Sequence, residues 1–253
     1  MRAYVEISAK VRAKFTGPGT AGASYIDLYC GPPQSRERGS GALVYGSAIV
    51  AVEAARKTGH PFTEVHLSDL NRSYGEATAA CLRSLDSGVR VAAYGGTATE
   101  VARQVVGRLA SQGLHLVFLD PFSLGDLSFQ VLRVFSRLQR ADLLIHVSAM
   151  DLQRNLEQAI GLASNHSFDD FMPGWRRVID VRQPIHDLRR AVLEYWIELV
   201  RELGFNVFWD QFELVKGTRN QPLYWLVMAA KHNKASEFWD KIRHTDPQRS
   251  LRL

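Results

Sequence analysis

The sequence predicts an α/β protein: a mostly parallel, seven-stranded sheet, helices on both faces, and an antiparallel hairpin at its C-terminal end. Three observations carry that prediction. Strand-like apolar runs alternate with helix-like stretches at roughly 25–30 residues, the length of a βαβ unit. The run Leu114-His115-Leu116-Val117-Phe118-Leu119 is almost continuously apolar, as a parallel strand covered on both faces must be. Near the end, two strand-like runs are joined only by Lys216-Gly217-Thr218-Arg219-Asn220-Gln221, a polar link too short for a parallel crossover, so they pair antiparallel.

The elements follow in order. Ser24-Tyr25-Ile26-Asp27-Leu28-Tyr29 is the first strand, after a flexible lead-in at 17–22. It ends in the loop Cys30-Gly31-Pro32-Pro33-Gln34-Ser35, which stays polar through Gly41. A helix follows with Ala48, Ile49, Val52 and Ala55 on one face, stopped by Gly59 and Pro61. The second strand, 62–67, delivers Ser68-Asp69. Ser73-x-x-Glu76 then reads as a capping box opening a helix that buries Ala77, Cys81 and Leu85. The third strand, 89–94, runs into Gly95-Gly96, and Thr97-x-x-Glu100 is a second capping box before Val101, Val105 and Leu109.

The fourth strand, 114–119, ends in Asp120-Pro121-Phe122. A helix with Leu127, Val131, Leu132 and Phe135 leads to the fifth strand, 142–147. Residues 150–184 read as an irregular helical insertion. An amphipathic helix then uses Leu188, Val192, Trp196, Val200 and Leu203 and stops at Gly204. The closing strands are 205–214 and 223–230. Five parallel strands followed by such a hairpin mark the Rossmann-like class I methyltransferase variant rather than the plain dinucleotide-binding fold. No compositional break interrupts the series, so residues 1–253 are expected to form one domain.

At 253 residues and 46% hydrophobic, the chain can bury one sizeable core. Its net charge of +5 comes largely from scattered arginines, which tolerates nucleic acid or another anionic partner without demanding one. The two cysteines, Cys30 and Cys81, lack Cys-x-x-Cys spacing, which argues against a zinc framework or a disulfide scaffold. The eight histidines show no metal-ligand spacing, so no metal is expected, and neither a Gly-x-Ser-x-Gly elbow nor a Walker loop is present. No apolar run approaches the roughly 18 residues of a membrane span, and a cytoplasmic protein is expected.

In an open parallel sheet, ligands bind at the carboxyl ends of the strands. The residues standing there are Asp27, Tyr29 and Gly31, then Asp69, then Gly95-Gly96, then Asp120-Pro121-Phe122. That order suits a nucleoside cofactor such as S-adenosylmethionine. A loop with little side chain lets backbone approach the methionine part, and an acid ending the second strand accepts ribose hydroxyls. Asp27, Tyr29, Gly31, Asp69 and Gly96 are therefore the cofactor candidates. Each also has a plain structural reading, as a brace, a turn or a helix-terminal charge. Asp120-Pro121-Phe122 is similar to the Asp/Asn-Pro-Pro-Tyr/Phe motif of amino-methyltransferases, in which a polar side chain and a proline carbonyl orient an amino group while the aromatic stacks on its carrier. His146 lies near the carboxyl end of the fifth strand, where it either faces the site or is a satisfied core histidine.

Several stretches together resemble the three-Cys-motif partner proteins of bacteria and phages. They are Tyr25-Ile26-Asp27-Leu28-Tyr29-Cys30-Gly31-Pro32, Gly46-Ser47-Ala48, Phe118-Leu119-Asp120-Pro121-Phe122, Leu223 through His232, and Phe238-Trp239-Asp240-Lys241. The resemblance spans most of the chain from residue 24 onward. It implies a methyltransferase-like domain, often encoded beside a protein with a three-cysteine, radical-SAM-like motif, and with it a protein partner of that kind. Carried over by position, it makes Asp27, Gly31 and Asp69 cofactor residues, Asp120 to Phe122 active-site residues, and Arg154 a substrate residue. The family loop reads Asp-x-x-Ala-Gly-Pro-Gly, so Cys30 stands at the alanine and Pro33 at the last glycine. Proline there removes an N–H that a cofactor carboxylate would use. The function expected is S-adenosylmethionine-dependent methyl transfer to an amino group of a nucleobase or similar planar amine. The alternatives are a non-catalytic partner subunit and a nucleic-acid-binding module.

Overall fold

The computed structural model describes residues 1–37, 39–161, 166–217 and 220–245. Nine strands are described. β1 (Ala23–Asp27), β4 (Glu64–Ser68), β5 (Arg90–Tyr94), β6 (Leu114–Leu119), β7 (Ala141–Ser148), β8 (Glu213–Lys216) and β9 (Pro222–Ala230) make the main sheet. β2 (Gln34–Arg36) and β3 (Leu43–Tyr45) form a separate small hairpin inside the loop after β1, read from the sequence only as polar loop. The order across the main sheet is β5-β4-β1-β6-β7-β9-β8, and β9 alone runs antiparallel to its neighbours. The expected seven-stranded, mostly parallel architecture with its closing hairpin is present. Two residues of the hairpin link, Thr218 and Arg219, lie outside the described residues, as do 162–165 of the 150–184 segment.

Alternation along the strands sorts the core into two layers. Ile26, Val117, Leu119, Leu143, Ile145, Val147, Val227 and Ala229 face one side. There they meet α5 (Ala98–Val106), α6 (Phe129–Phe135), α7 (Ala149–Gly161), α8 (His166–Phe171) and α9 (Ile185–Glu202). Tyr25, Val65, Leu67, Leu116, Phe118, Leu144, Met228 and Ala230 face the other. They are covered by α1 (Arg2–Ile7), α3 (Ser47–Lys57), α4 (Arg72–Leu85) and α10 (Asn233–Thr245). The second face carries the site.

Two local expectations need correction, and one segment left unread in the sequence is helical. The helix after β4 is not opened by a box at Ser73 and Glu76. Its cap is Asn71, whose side chain accepts from the Ser73 N–H at 3.2 Å, while Glu76 is drawn to the Arg72 guanidinium at 2.8 Å. Starting there turns Gly75, Thr78, Ala79 and Leu82 inward and leaves Ala77 exposed. The expected strand 205–214 is broken. Asn206 makes one isolated bridge to Ala230, then Trp209–Gln211 form a 3-10 turn before β8 begins. Trp239 Nε1–H donates to the Gln211 carbonyl at 2.7 Å, holding that turn against α10. Finally, the region before the 17–22 lead-in is helical: α1 is followed by α2 (Ala9–Arg12). Buried Arg12 anchors it, donating to the carbonyls of His60 and Val5 and to the hydroxyls of Thr58 and Ser8. The second capping box is as expected, with Thr97 and Glu100 satisfying each other's backbone N–H.

Candidate active site

Where β1, β6 and β7 end and β9 begins, a cavity of about 900 Å³ opens on the second face of the sheet. Its walls include Tyr29, Gly31, Ser47, Asp120, His146 and Tyr224, with α1 and α10 contributing Tyr4 and Trp239. Ligand sites commonly run from about 300 to 1,000 Å³, so a nucleoside-sized molecule and part of a second one fit here.

Asp27 closes β1 and is fully buried behind this wall. The Tyr25 hydroxyl donates to its Oδ2 at 3.0 Å, the Ser47 hydroxyl to the same oxygen at 2.6 Å, and the Tyr29 N–H to Oδ1 at 3.2 Å. Burial raises its pKa to about 7, against the pull of those three donors, and the nearby Asp120 charge adds to the rise. Asp27 thus braces the loop after β1 and the first residue of α3. Burial likewise pushes the Cys30 thiol well above its ordinary range.

Gly31 takes φ +58, and a Cβ there would meet nothing within 4 Å, so its side of the loop is open to the cavity. The loop then closes on α3: the Gly46 N–H donates to the Pro33 carbonyl at 2.9 Å, and a Cβ on Gly46 would lie 2.7 Å from the Pro32 carbonyl. That approach explains the glycine of Gly46-Ser47. No side chain caps α3, so the positive end of an 11-residue helix stands at the cavity wall.

The β4 side of the same edge is arranged differently. The Asp69 carboxylate accepts from the Gly31 N–H at 3.1 Å on Oδ2 and from the Asn71 N–H at 2.9 Å on Oδ1. The Cys30 N–H donates to the Ser68 carbonyl, and the Thr78 hydroxyl to that of Gly31. Gly96, at φ +131, stands exposed beside the Glu100 carboxylate of the capping box. Neither Asp69 nor Gly96 lines the cavity.

On the other side, β6 and β7 pair Leu119 with Ile145, so the next residues, Asp120 and His146, stand side by side. His146 Nδ1 lies 2.5 Å from Asp120 Oδ1. The Tyr224 ring meets the imidazole edge-on, centroids 4.0 Å apart. Burial, with the Asp120 charge, raises the Tyr224 phenol. Pro121 is buried, whereas Phe122 is 98% exposed, and neither lines the cavity. Arg154 is exposed on α7, away from the lining. The structure therefore gathers Tyr29, Gly31 and Asp120 at one cavity, with Asp27 buried behind its wall. It ties Asp69 to Gly31 from behind and leaves Gly96, Phe122 and Arg154 outside. Ser47 and Tyr224 belong to the site without having been read from the sequence. Ser47's only signal was its place opening a helix behind a glycine.

No family model and no curated protein matches the sequence. Among solved structures, protein LPL1258 from Legionella pneumophila is similar over 95% of this chain and 90% of its own, at 7% identity and a TM-score of 0.54. An O-methyltransferase from Bacillus cereus in complex with SAH aligns over 90% of this chain and 79% of its own, at 9% identity and a TM-score of 0.47. A putative O-methyltransferase from Klebsiella pneumoniae covers 90% and 78%, at 10% identity and 0.47. At 7% identity the likeness to the Legionella protein is one of fold alone. The strand order and the lone antiparallel β9 decide which fold it is. The chain has the class I methyltransferase fold. Among the described residues, no three His, Cys, Asp or Glu side chains are grouped to hold a metal, and no helix is long and apolar enough to cross a membrane.

Proposed function

We propose that the protein is an S-adenosylmethionine-dependent methyltransferase acting on an amino group of a nucleobase or similar planar amine. The observation that carries the reading is Asp120. It follows β6 at the wall of the cavity that Gly31 and the uncapped end of α3 also line.

The residues fit the donor. Gly31 and Ser47, with the positive end of α3, would hold the methionine end, and Tyr29 would flank it. Asp69 would hold the ribose: a carboxylate offers about four lone-pair sites, and backbone N–H groups take two of them here. When bound, S-adenosylmethionine supplies an electrophilic methyl group on a sulfonium.

The chain's own residues would orient the acceptor. Asp120 and the Pro121 carbonyl accept from the amino group and turn its lone pair toward the methyl, which is catalysis by positioning. Phe122 offers a free ring face to the planar carrier, and exposed Arg154 a cation to the substrate. A base held in a duplex must be flipped out to reach a site of this depth.

A second reading draws on the loop itself. Gly31 and Asp69 already satisfy one another, and Pro33 supplies no N–H, which favours a partner subunit that kept the fold without the chemistry. The motifs shared with three-Cys-motif partner proteins support a companion protein under either reading. Calorimetric titration with S-adenosylhomocysteine separates them. The enzyme reading expects micromolar binding, weakened at least about tenfold by Asp69→Ala. No binding at millimolar ligand would overturn it in favour of the partner subunit.

A further inference from the structure

The geometry points to His146 as the proton acceptor of the transfer, held for that task by Asp120, with a substrate amine that gives up an N–H proton as it is methylated. This inference rests on the methyl-transfer reading above.

Three observations lead to it. First, the Asp120 carboxylate and His146 Nδ1 approach to 2.5 Å, a close contact without the alignment of an ideal hydrogen bond. A carboxylate and a bare ring nitrogen are both acceptors and would repel at that distance, so Nδ1 carries the proton. With Nδ1 alone protonated, Nε2 is an acceptor.

Second, Nε2 is buried and has no hydrogen-bond partner. The contrast is His115 on the neighbouring strand, whose two nitrogens meet the Ser24 hydroxyl at 2.7 Å and the Ala110 carbonyl at 3.1 Å. Both His115 nitrogens are thus satisfied within the protein, whereas Nε2 of His146 is not. Third, His146 lines the cavity, and the Tyr224 ring packed edge-on restrains the imidazole from turning. An N–H donor is what this nitrogen lacks.

The step balances on these groups. The acceptor nitrogen donates its lone pair to the new N–C bond, and the C–S bond of the sulfonium donor breaks with its electron pair left on sulfur. The positive charge now on nitrogen is discharged as its N–H proton passes to Nε2. The resulting imidazolium faces the Asp120 carboxylate, which stabilises it, and releases its proton to water as the product leaves.

Long-range proton–nitrogen NMR spectra of the histidine side chains in the full-length protein near pH 8, assigned with His146→Gln, test the arrangement without any ligand. The expected result is an Nδ1–H tautomer at His146, converting to the Nε2–H form in Asp120→Ala. An Nε2–H tautomer in the wild type, or no change in Asp120→Ala, would overturn the inference. Calorimetry with S-adenosylhomocysteine keeps this failure apart from that of the methyl-transfer reading. His146→Gln should bind it within about threefold of wild type. Loss of binding in that variant would make His146 a donor-binding residue and overturn the inference. Absence of binding in the wild type would instead fall on the methyl-transfer reading, with the tautomer still deciding the Asp120–His146 pair.

Discussion

The two halves of the sheet's carboxyl edge carry the same kinds of residue and use them differently. On the β4–β5 side, the carboxylates at the edge are turned on the protein itself. Asp69 holds the N–H groups of Gly31 and Asn71, and Thr97 and Glu100 close a capping box. On the β6–β7–β9 side, Asp120 and His146 pair at a cavity wall, and a ring nitrogen is left without a partner. Where an acid's oxygens meet backbone donors, it braces a loop; where they meet another side chain beside open space, it is poised for chemistry. A carboxylate at a strand end is a site candidate only once its partners are known.

The largest effect that would break this contrast lies on the cavity side. His146→Gln should lower kcat for the methyl acceptor by about 10²–10⁴-fold with KM nearly unchanged, in steady-state assays. An equal loss from Thr97→Ala would erase the distinction between the two halves.

Next comes the buried acid behind the cavity. Asp27 stays protonated up to about pH 7 in the folded chain, against about 3.9 when unfolded. The folded state therefore binds more protons between those values. Stability is full at low pH and falls as pH rises, by up to about 4 kcal/mol at roughly 1.4 kcal/mol per unit. Asp142, raised by burial to about 6 despite the Tyr4 hydroxyl, adds a loss of the same sign that ends lower. Urea unfolding at pH 5 and pH 8 should show the drop, and Asp27→Asn should narrow it. An unchanged gap would mean that Asp27 is ionised in the fold.

On the β4 side the effects on stability come from lost backbone contacts. Asp69→Ala strips two backbone N–H groups of their acceptor and should cost about 1–3 kcal/mol in denaturant unfolding. Thr97→Ala removes one capping bond and should cost about 1 kcal/mol without changing S-adenosylhomocysteine affinity.

The strands were legible because their apolar runs are long and regular, and the Thr97 box because both of its members are local. What escaped the sequence depended on contacts between distant segments. Arg12 is charged yet buried by acceptors from residues nearly 50 positions away, so nothing in its surroundings marks α2 as core. Asn71 could replace Ser73 as the cap because several turn-favouring residues stand together there. The broken 205–214 run is held by Trp239, far along the chain. At the site, Asp27 and Asp120 were readable from their places at strand ends. Strands covered on both faces hide which side a residue takes, so whether His146 meets Asp120 depended on the register of β6 against β7.

The central claim is that transfer chemistry sits in the cavity where β1, β6 and β7 end and β9 begins, bordered by Asp120 and His146. A crystal structure with S-adenosylhomocysteine tests it most directly. The account predicts the thioether sulfur inside that cavity, between Gly31 and Asp120, with the carboxylate at the N-terminus of α3. Ligand density on the β4–β5 side, with its sulfur remote from Asp120 and His146, would contradict it.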